Sequence, residues 1–323
     1  MNYAITFTEY AKAELLEVGE VGEPDVDEIA AETLFSLISP GTEINSGYLG
    51  EPPFPKISGY AAVSRVIRIG KQVKHIKLGD LIFSMGNHCL QQILKAEWTF
   101  LLPAGLDEWK GTIARLMGVS MTTLTTTHAR PGDRVLIMGA GPVGFLAAHI
   151  FGISGYEVTV CDPDEERLLA LKQSGITHVY SSISADGQKL QPFALVLECS
   201  GHEQALLDGL RSVQMRGEVV MIGVPWKKRT DLTAHDIAWE VFHKYAVLRS
   251  GWEWELPTFS NERQPHSIFT NLQIAAKWLQ EGRVSLDGLV RKVSPQDAQN
   301  VYRDLSNRSY KELFIVFDWS QLK

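Results

Sequence analysis

An α/β fold, with a doubly wound parallel sheet preceded by a β-rich module, is predicted by three observations. A short apolar run, Arg134 to Met138, ends in a glycine-rich turn and passes into an apolar helical stretch. A second apolar run, Val158-Thr159-Val160, closes on Asp162, near the spacing expected of an acid that follows such a turn. Strand-like and helical stretches then alternate as far as about residue 250, the rhythm of βαβ units.

The turn reads Gly139-Ala140-Gly141-Pro142-Val143-Gly144, a G-x-G-x-x-G placed where strand becomes helix. Such a motif is weak alone, and here its setting makes it specific. Gly139 permits the tight turn, Gly141 lets the backbone approach a pyrophosphate, and Gly144 lets helix and strand pack closely. Pro142 lacks an N–H and so suits a first helical turn, where donors are unpaired anyway. The helix N-terminus offers free N–H groups and the positive end of its dipole to a diphosphate. Asp162 is placed to accept a ribose 2′-hydroxyl and to repel a 2′-phosphate. Its plainer reading is an N-cap for a helix over 165–172. Residues 163–166 carry no cation, and Arg167 is the first. The stretch is therefore expected to bind NAD(H) rather than NADP(H), through Gly139, Gly141, Pro142, Val143, Gly144, Asp162 and Arg167.

The flanking chain has a different texture. Residues 1 to about 115 hold short strand-like runs broken by Gly and Pro, clearest at 29–38, 61–69 and 77–83. A long irregular segment from Ser39 to Gly59 carries Pro40, Pro52, Pro53 and Pro55, and a loop of that length is usually functional or disordered. Residues 104–128 read as mostly helical, and Arg130-Pro131-Gly132-Asp133 turns into the glycine-loop strand. Beyond Asp162 come a helix ending at Gly175, the run Phe193 to Leu197, a helix through Leu210, and the strand Gly217 to Gly223. The tail holds a loop from Trp252 to Pro265, helices over 268–281 and 295–305, and a closing strand Phe314-Ile315-Val316-Phe317. Three parts follow: 1–120 β-rich, 121–250 nucleotide-binding, and 251–323 a mixed tail.

Composition sets limits. A chain of 323 residues, 45% hydrophobic and 21% charged, is an ordinary globular protein with ample core. A net charge of −7 gives no reason to expect nucleic acid or an anionic membrane as partner. No apolar run approaches the roughly 18–20 residues needed to span a bilayer, and the N-terminus lacks a signal peptide's basic start. Cys89, Cys161 and Cys199 are scattered and odd in number, which fits buried thiols in a reducing cytoplasm.

Several segments together resemble the medium-chain dehydrogenase/reductase superfamily over nearly the whole length. They are Ser39-Pro40-Gly41-Thr42-Glu43, Lys77-Leu78-Gly79-Asp80-Leu81-Ile82, Ala140 to Gly144, and Gly217 to Gly223. The resemblance implies a GroES-like catalytic domain, completed by the tail, around a Rossmann domain, and a homodimer joined edge to edge near Tyr245-Ala246-Val247-Leu248. It also implies zinc positions that this chain fills otherwise. The first catalytic ligand falls at Pro40, the second at Tyr60, and the third within Met117 to Ser120, which holds no Cys. Of the structural-zinc cysteines only Cys89 is present near 85–100. A remade set of His88, Cys89 and Glu97 is the weak alternative.

Without zinc, a hydrogen-bond donor must stabilise the developing alkoxide. The resemblance places Thr42, Tyr60 and His88 around the cleft. His88 ranks first, because an imidazole titrates near neutral pH. Thr123, beside Thr122, matches a position that contacts nicotinamide. Each has a plainer reading: turn backbone bonding for Thr42, packing for Tyr60 and Thr123, an ordinary loop residue for His88. Glu43 is read as holding its loop. The missing ligands and the Ser-Pro-Gly-Thr-Glu turn resemble a zinc-free subgroup that includes bacteriochlorophyllide dehydrogenase. The expected activity is NAD(H)-dependent interconversion of a secondary alcohol and its ketone. A quinone or enone reductase and a non-catalytic NAD-binding protein are the alternatives.

Overall fold

The structure is a computed structural model in which residues 1–183 and 192–322 are described. The chain divides into two compact units, one of Met1–Arg115, Ala276–Glu281 and Asp287–Lys323, the other of Leu116–Ala275 and Gly282–Leu286.

The second unit is built on a six-stranded, all-parallel sheet. Its order is Val179–Tyr180, Glu157–Cys161, Arg134–Met138, Phe193–Glu198, Val213–Met221 and Val247–Ser250. Numbered along the chain, that is 3-2-1-4-5-6, so strand order reverses beside Arg134–Met138. Ligands bind such sheets at the carboxyl ends beside the reversal. Val135, Leu136, Ile137, Leu195, Val196 and Leu197 are wholly buried, which is why these runs are continuously apolar and do not alternate. Val247–Ser250 ends the sheet. Its Val247 is exposed, as are Trp239, Phe242 and Tyr245 just before it.

The first unit holds a seven-stranded, mostly antiparallel sheet and a three-stranded one. Strand Glu28–Leu37 is the hub of the larger sheet, pairing with Ala62–Ile69, Gln91–Lys95 and the C-terminal strand Phe314–Asp318. Phe7, Tyr48, Tyr302, Phe317 and Trp319 meet in one core, with the Phe7 and Tyr302 rings edge to face at 4.9 Å. Aromatic pairs in that geometry add to the stabilisation from area burial.

Two expectations are corrected. Ser39 to Gly59 is not irregular throughout. It contains a helical turn Pro40–Thr42, a π-helical turn Glu43–Tyr48 and a strand Lys56–Ile57. Local bonds order it: Asn45 Nδ2 donates to the Gly41 carbonyl and Ser46 Oγ to the Thr42 carbonyl, each at 2.7 Å. The tail boundary also moves, because residues 251–275 belong to the second unit. Leu272 of helix Ile268–Gln280 lies where a Cβ on Gly118 would stand, at 2.7 Å, so a small residue there lets the two helices meet. Among the described residues, no helix is long and apolar enough to cross a membrane.

Candidate functional site

The glycine loop is shaped by contacts that exclude other residues. Gly139 has φ +101°, a left-handed value that favours glycine. A Cβ on Gly144 would stand 1.8 Å from the Gly139 carbonyl oxygen, so this position admits no side chain. Gly141 differs: its φ is −66°, and a Cβ there would meet nothing nearer than Arg167 Nη1 at 4.0 Å. Pro142 opens helix Pro142–Ile153, with Val143 next, and no side chain caps the first turn. Its N–H groups are thus left for an anion. The residues fit a dinucleotide diphosphate.

Asp162 is 4% exposed and works first on the loop itself. Its Oδ2 accepts from Ala140 N at 2.6 Å and its Oδ1 from Asp164 N at 2.8 Å. A ribose hydroxyl would have to use a remaining lone pair. The N-cap of helix Glu165–Gln173 is Asp164, which accepts from Glu166 N and Arg167 N. That cap brings Arg167 Nη1 back to 3.6 Å from Asp162 Oδ2, so a cation stands at the site although the linear spacing suggested none close by.

Glu198 escaped the sequence reading. It ends strand Phe193–Glu198, is 2% exposed, and accepts from the N–H groups of Ser200 and Gly201 and from the Ser200 hydroxyl. Burial pushes its carboxyl above the usual range. Ser200 in turn lies 3.0 Å from where a Gly139 Cβ would be, so Glu198 braces the wall opposite the glycine loop. The signal in the sequence was a charge closing a buried apolar run. Thr123 and Thr122 are wholly buried in helix Glu108–Thr126, and Thr123 Oγ1 has no hydrogen-bond partner among the described residues. The expected contact of Thr123 with nicotinamide is corrected: packing leaves it no surface to offer.

In the first unit the structure brings Thr42 and Tyr60 together. The Ser39 and Thr42 side chains lie near enough to the Tyr60 phenol to lower its pKa, and the Arg115 guanidinium lies 4.6 Å from its ring centroid. Burial pushes this phenol up, against the pull of Arg115. Gly59, with φ +90°, turns the chain into Tyr60, and a Cβ there would stand 2.6 Å from the His88 ring.

His88 departs from expectation. It is wholly buried, with Nδ1 2.7 Å from Ser36 Oγ and Nε2 3.0 Å from Glu43 Oε2. Trp319 Nε1–H can only donate, and it does so to Ser36 Oγ at 2.9 Å. Nδ1 shares a hydrogen bond with the Ser36 hydroxyl, and Nε2 shares one with the Glu43 carboxyl. The N-terminal strand Asn2–Glu9 causes the burial: Ile5 N–H donates to the His88 carbonyl, and Leu90 N–H to that of Tyr3. His88 therefore has no route to a substrate. Glu43 collects the network. Its Oε1 accepts from Ser39 N at 2.7 Å and its Oε2 from Tyr302 O–H at 2.5 Å as well as from His88. Tyr302, Ser36 and Arg115 were not anticipated, since their partners lie far away in the chain.

The donor set does not fit a zinc ion. Pro40 offers no side-chain ligand, and Thr42 and Tyr60 offer neutral hydroxyls. Both ring nitrogens of His88 are engaged, and burial pushes the Cys89 thiol up to about 11, away from the thiolate a metal needs. Glu97 is exposed on the turn Ala96–Trp98. Among the described residues, no three His, Cys, Asp or Glu side chains gather as a metal-binding group.

The sequence profile described as zinc-binding dehydrogenase matches residues 142–253, which begin within the glycine loop. Residues 142–253 are thus similar to the zinc-binding dehydrogenases. Sorbitol dehydrogenase of Bacillus subtilis (strain 168) is 25% identical over 243 residues, 62% of this chain and 68% of the relative. L-threonine 3-dehydrogenase of Streptomyces coelicolor is 27% identical over 213 residues, 53% of this chain and 61% of the relative. The chain thus spans about two thirds or less of these relatives' length. Galactitol-1-phosphate dehydrogenase from Escherichia coli superimposes with a TM-score of 0.83 over 98% of this chain and 99% of its own. At 16% identity, that likeness is one of fold.

The contrast between two glycines is testable in this zinc-binding dehydrogenase relative. Gly141→Ala is expected to leave the thermal midpoint unchanged while weakening NADH binding at least tenfold, roughly 1.4 kcal/mol. Differential scanning fluorimetry with fluorescence titration of NADH measures both, and unchanged NADH affinity would refute the assignment of Gly141.

Proposed function

We propose that this chain is an NAD(H)-dependent oxidoreductase interconverting a secondary alcohol and its ketone without a resident zinc ion, with Tyr60, assisted by Thr42, carrying the proton. The observation that carries this reading is the hydroxyl cluster, in which Tyr60 engages Thr42 and Ser39 at a position where the resemblance puts a zinc ligand. The non-ligand residues at Pro40 and Tyr60, where the resemblance puts zinc ligands, support it. Gly139, Gly141, Pro142, Val143 and Gly144 would hold the diphosphate, with Asp162 and Arg167 at the adenosine ribose. The nicotinamide, when bound, supplies or accepts the hydride. Tyr60 holds the proton on its phenol oxygen at neutral pH, because burial raises it, and so is set to donate to a carbonyl oxygen. Thr42 orients that hydroxyl. His88 keeps its place in the core and takes no part in transfer.

Three measurements bear on this reading. Tyr60→Phe should lower kcat by about 10²–10³-fold on a substrate found by screening secondary alcohols, with NADH affinity retained. In the same assay, enzyme treated with a chelator should keep full activity. Undiminished turnover in Tyr60→Phe, or activity lost to the chelator and restored by zinc, overturns the assignment.

Asp162 favours NADH, but Arg167 beside it tempers the exclusion of a 2′-phosphate. Calorimetry should find NADH bound about fivefold more tightly than NADPH, roughly 1 kcal/mol, and Asp162→Ala should erase the gap. Equal affinities in the parent protein would remove the basis for calling the enzyme NAD-specific.

A homodimer is proposed through the sheet edge Val247–Ser250, where Val247 and Tyr245 are exposed beside Trp239 and Phe242. Sedimentation at tens of micromolar, an order-of-magnitude concentration, should give twice the chain mass, and Val247→Lys should give the monomer. A parent protein that sediments as a monomer refutes the pairing.

A further inference from the structure

We propose that Arg115 is a positioning residue for Tyr60, its guanidinium lying on the phenol ring and stabilising the negative charge left there when the proton departs. The inference rests on the reading of Tyr60 as proton carrier and goes beyond it, by naming what makes a metal-free phenol competent.

The contact differs from more exposed cation–ring pairs among the described residues. Arg115 is 4% exposed, and its guanidinium carbon lies 4.6 Å from the Tyr60 centroid. By contrast, Arg291 over Tyr310 and Lys110 over Trp109 have side chains 54% and 36% exposed. A cation held out of water interacts with a ring far more strongly than a hydrated one. Arg115 is fixed from behind by helix Glu108–Thr126, where Thr112, Ile113 and Ala114 are wholly buried. At its other end, the Ser39 and Thr42 side chains act on the Tyr60 phenol and lower its pKa. The geometric contact on the ring is the guanidinium.

The charges acting on this phenol are Arg115 and Glu43. Burial raises the phenol most, Arg115 lowers it, and Glu43 raises it further. During ketone reduction the Tyr60 O–H bond breaks, a new O–H bond forms on the substrate oxygen, and the electron pair stays on the phenol oxygen. The hydride that completes the reduction comes from reduced nicotinamide. The phenolate spreads part of its charge into the ring that Arg115 covers, and a solvent proton later restores the phenol. In alcohol oxidation the same phenolate accepts the proton. A planar guanidinium suits this stacking in a way an ammonium does not.

The test uses the whole chain labelled with 3,5-difluorotyrosine, whose phenols ionise at lower pH and are read by ¹⁹F NMR without a substrate. The Tyr60 resonance is assigned from its loss in Tyr60→Phe. Arg115→Met, which keeps the side-chain volume, should raise the Tyr60 midpoint by about one pH unit, a tenfold change, and Arg115→Lys should fall between it and the parent. The limb of the kcat–pH profile that follows Tyr60 should move the same way, with KM nearly unchanged. A Tyr60 midpoint in Arg115→Met and Arg115→Gln that matches the parent overturns the proposal. Full turnover in Tyr60→Phe would instead remove the proton-carrier reading, whatever the fluorine titration finds.

Discussion

A carboxylate at 4% exposure must find its donors inside the protein, and Glu43 organises the first unit by doing so. Its donors come from three places: Ser39 at the start of its own turn, His88 on the loop after strand Leu81–Ser84, and Tyr302 on helix Ala298–Ser306 near the C-terminus. Losing one would leave a charged oxygen short of a partner, at a cost of about 1–3 kcal/mol or more. His88 in turn depends on Ser36 and Trp319, so the network ties strand Glu28–Leu37 to the last residues of the chain. The turn fixed in this way is the one that presents Thr42 and Ser39 to Tyr60.

The second unit uses the same device twice. Asp162 and Glu198 are buried acids at the carboxyl ends of strands on either side of Arg134–Met138. Each spends its oxygens on backbone N–H groups of a neighbouring loop, Ala140 for one, Ser200 and Gly201 for the other. A loop held by charge-assisted bonds is set before any ligand arrives, and the open side at Gly141 is left for the ligand. Asp162 therefore shapes the loop whether or not it also reads a ribose.

A bound metal contributes several kcal/mol of charge stabilisation at a developing alkoxide, and an aimed hydrogen-bond donor roughly 2.7–4 kcal/mol. The hydroxyl cluster offers the second kind of help at a place where the resemblance puts a zinc ligand. A phenol in that role needs its proton held until transfer and its charge tolerated afterwards. Burial meets the first need and the neighbouring guanidinium the second, and the two act in opposite directions on one group. The site's acidity is a balance of environment and not a property of tyrosine.

The spacing of Gly139, Gly141 and Gly144, the proline at Pro142 and the unbroken apolar runs were enough to read the parallel sheet and its diphosphate loop. They are local: a turn, a cap and a strand buried on both faces each leave their mark within a few residues. The absence of zinc ligands at Pro40 and Tyr60 was equally plain in the chain. The ranking of His88 over Tyr60 was not legible, because it depended on burial. Only the tertiary structure shows strand Asn2–Glu9 closing over His88 while Tyr60 stays partly exposed beside Arg115. The same holds for Glu43 and Tyr302, 259 positions apart, and for Arg115, 55 positions after Tyr60. Residue type and spacing determined what chemistry this chain has to work with. Which groups meet and which are sealed from water was decided by long-range packing, which leaves no periodic trace in the sequence.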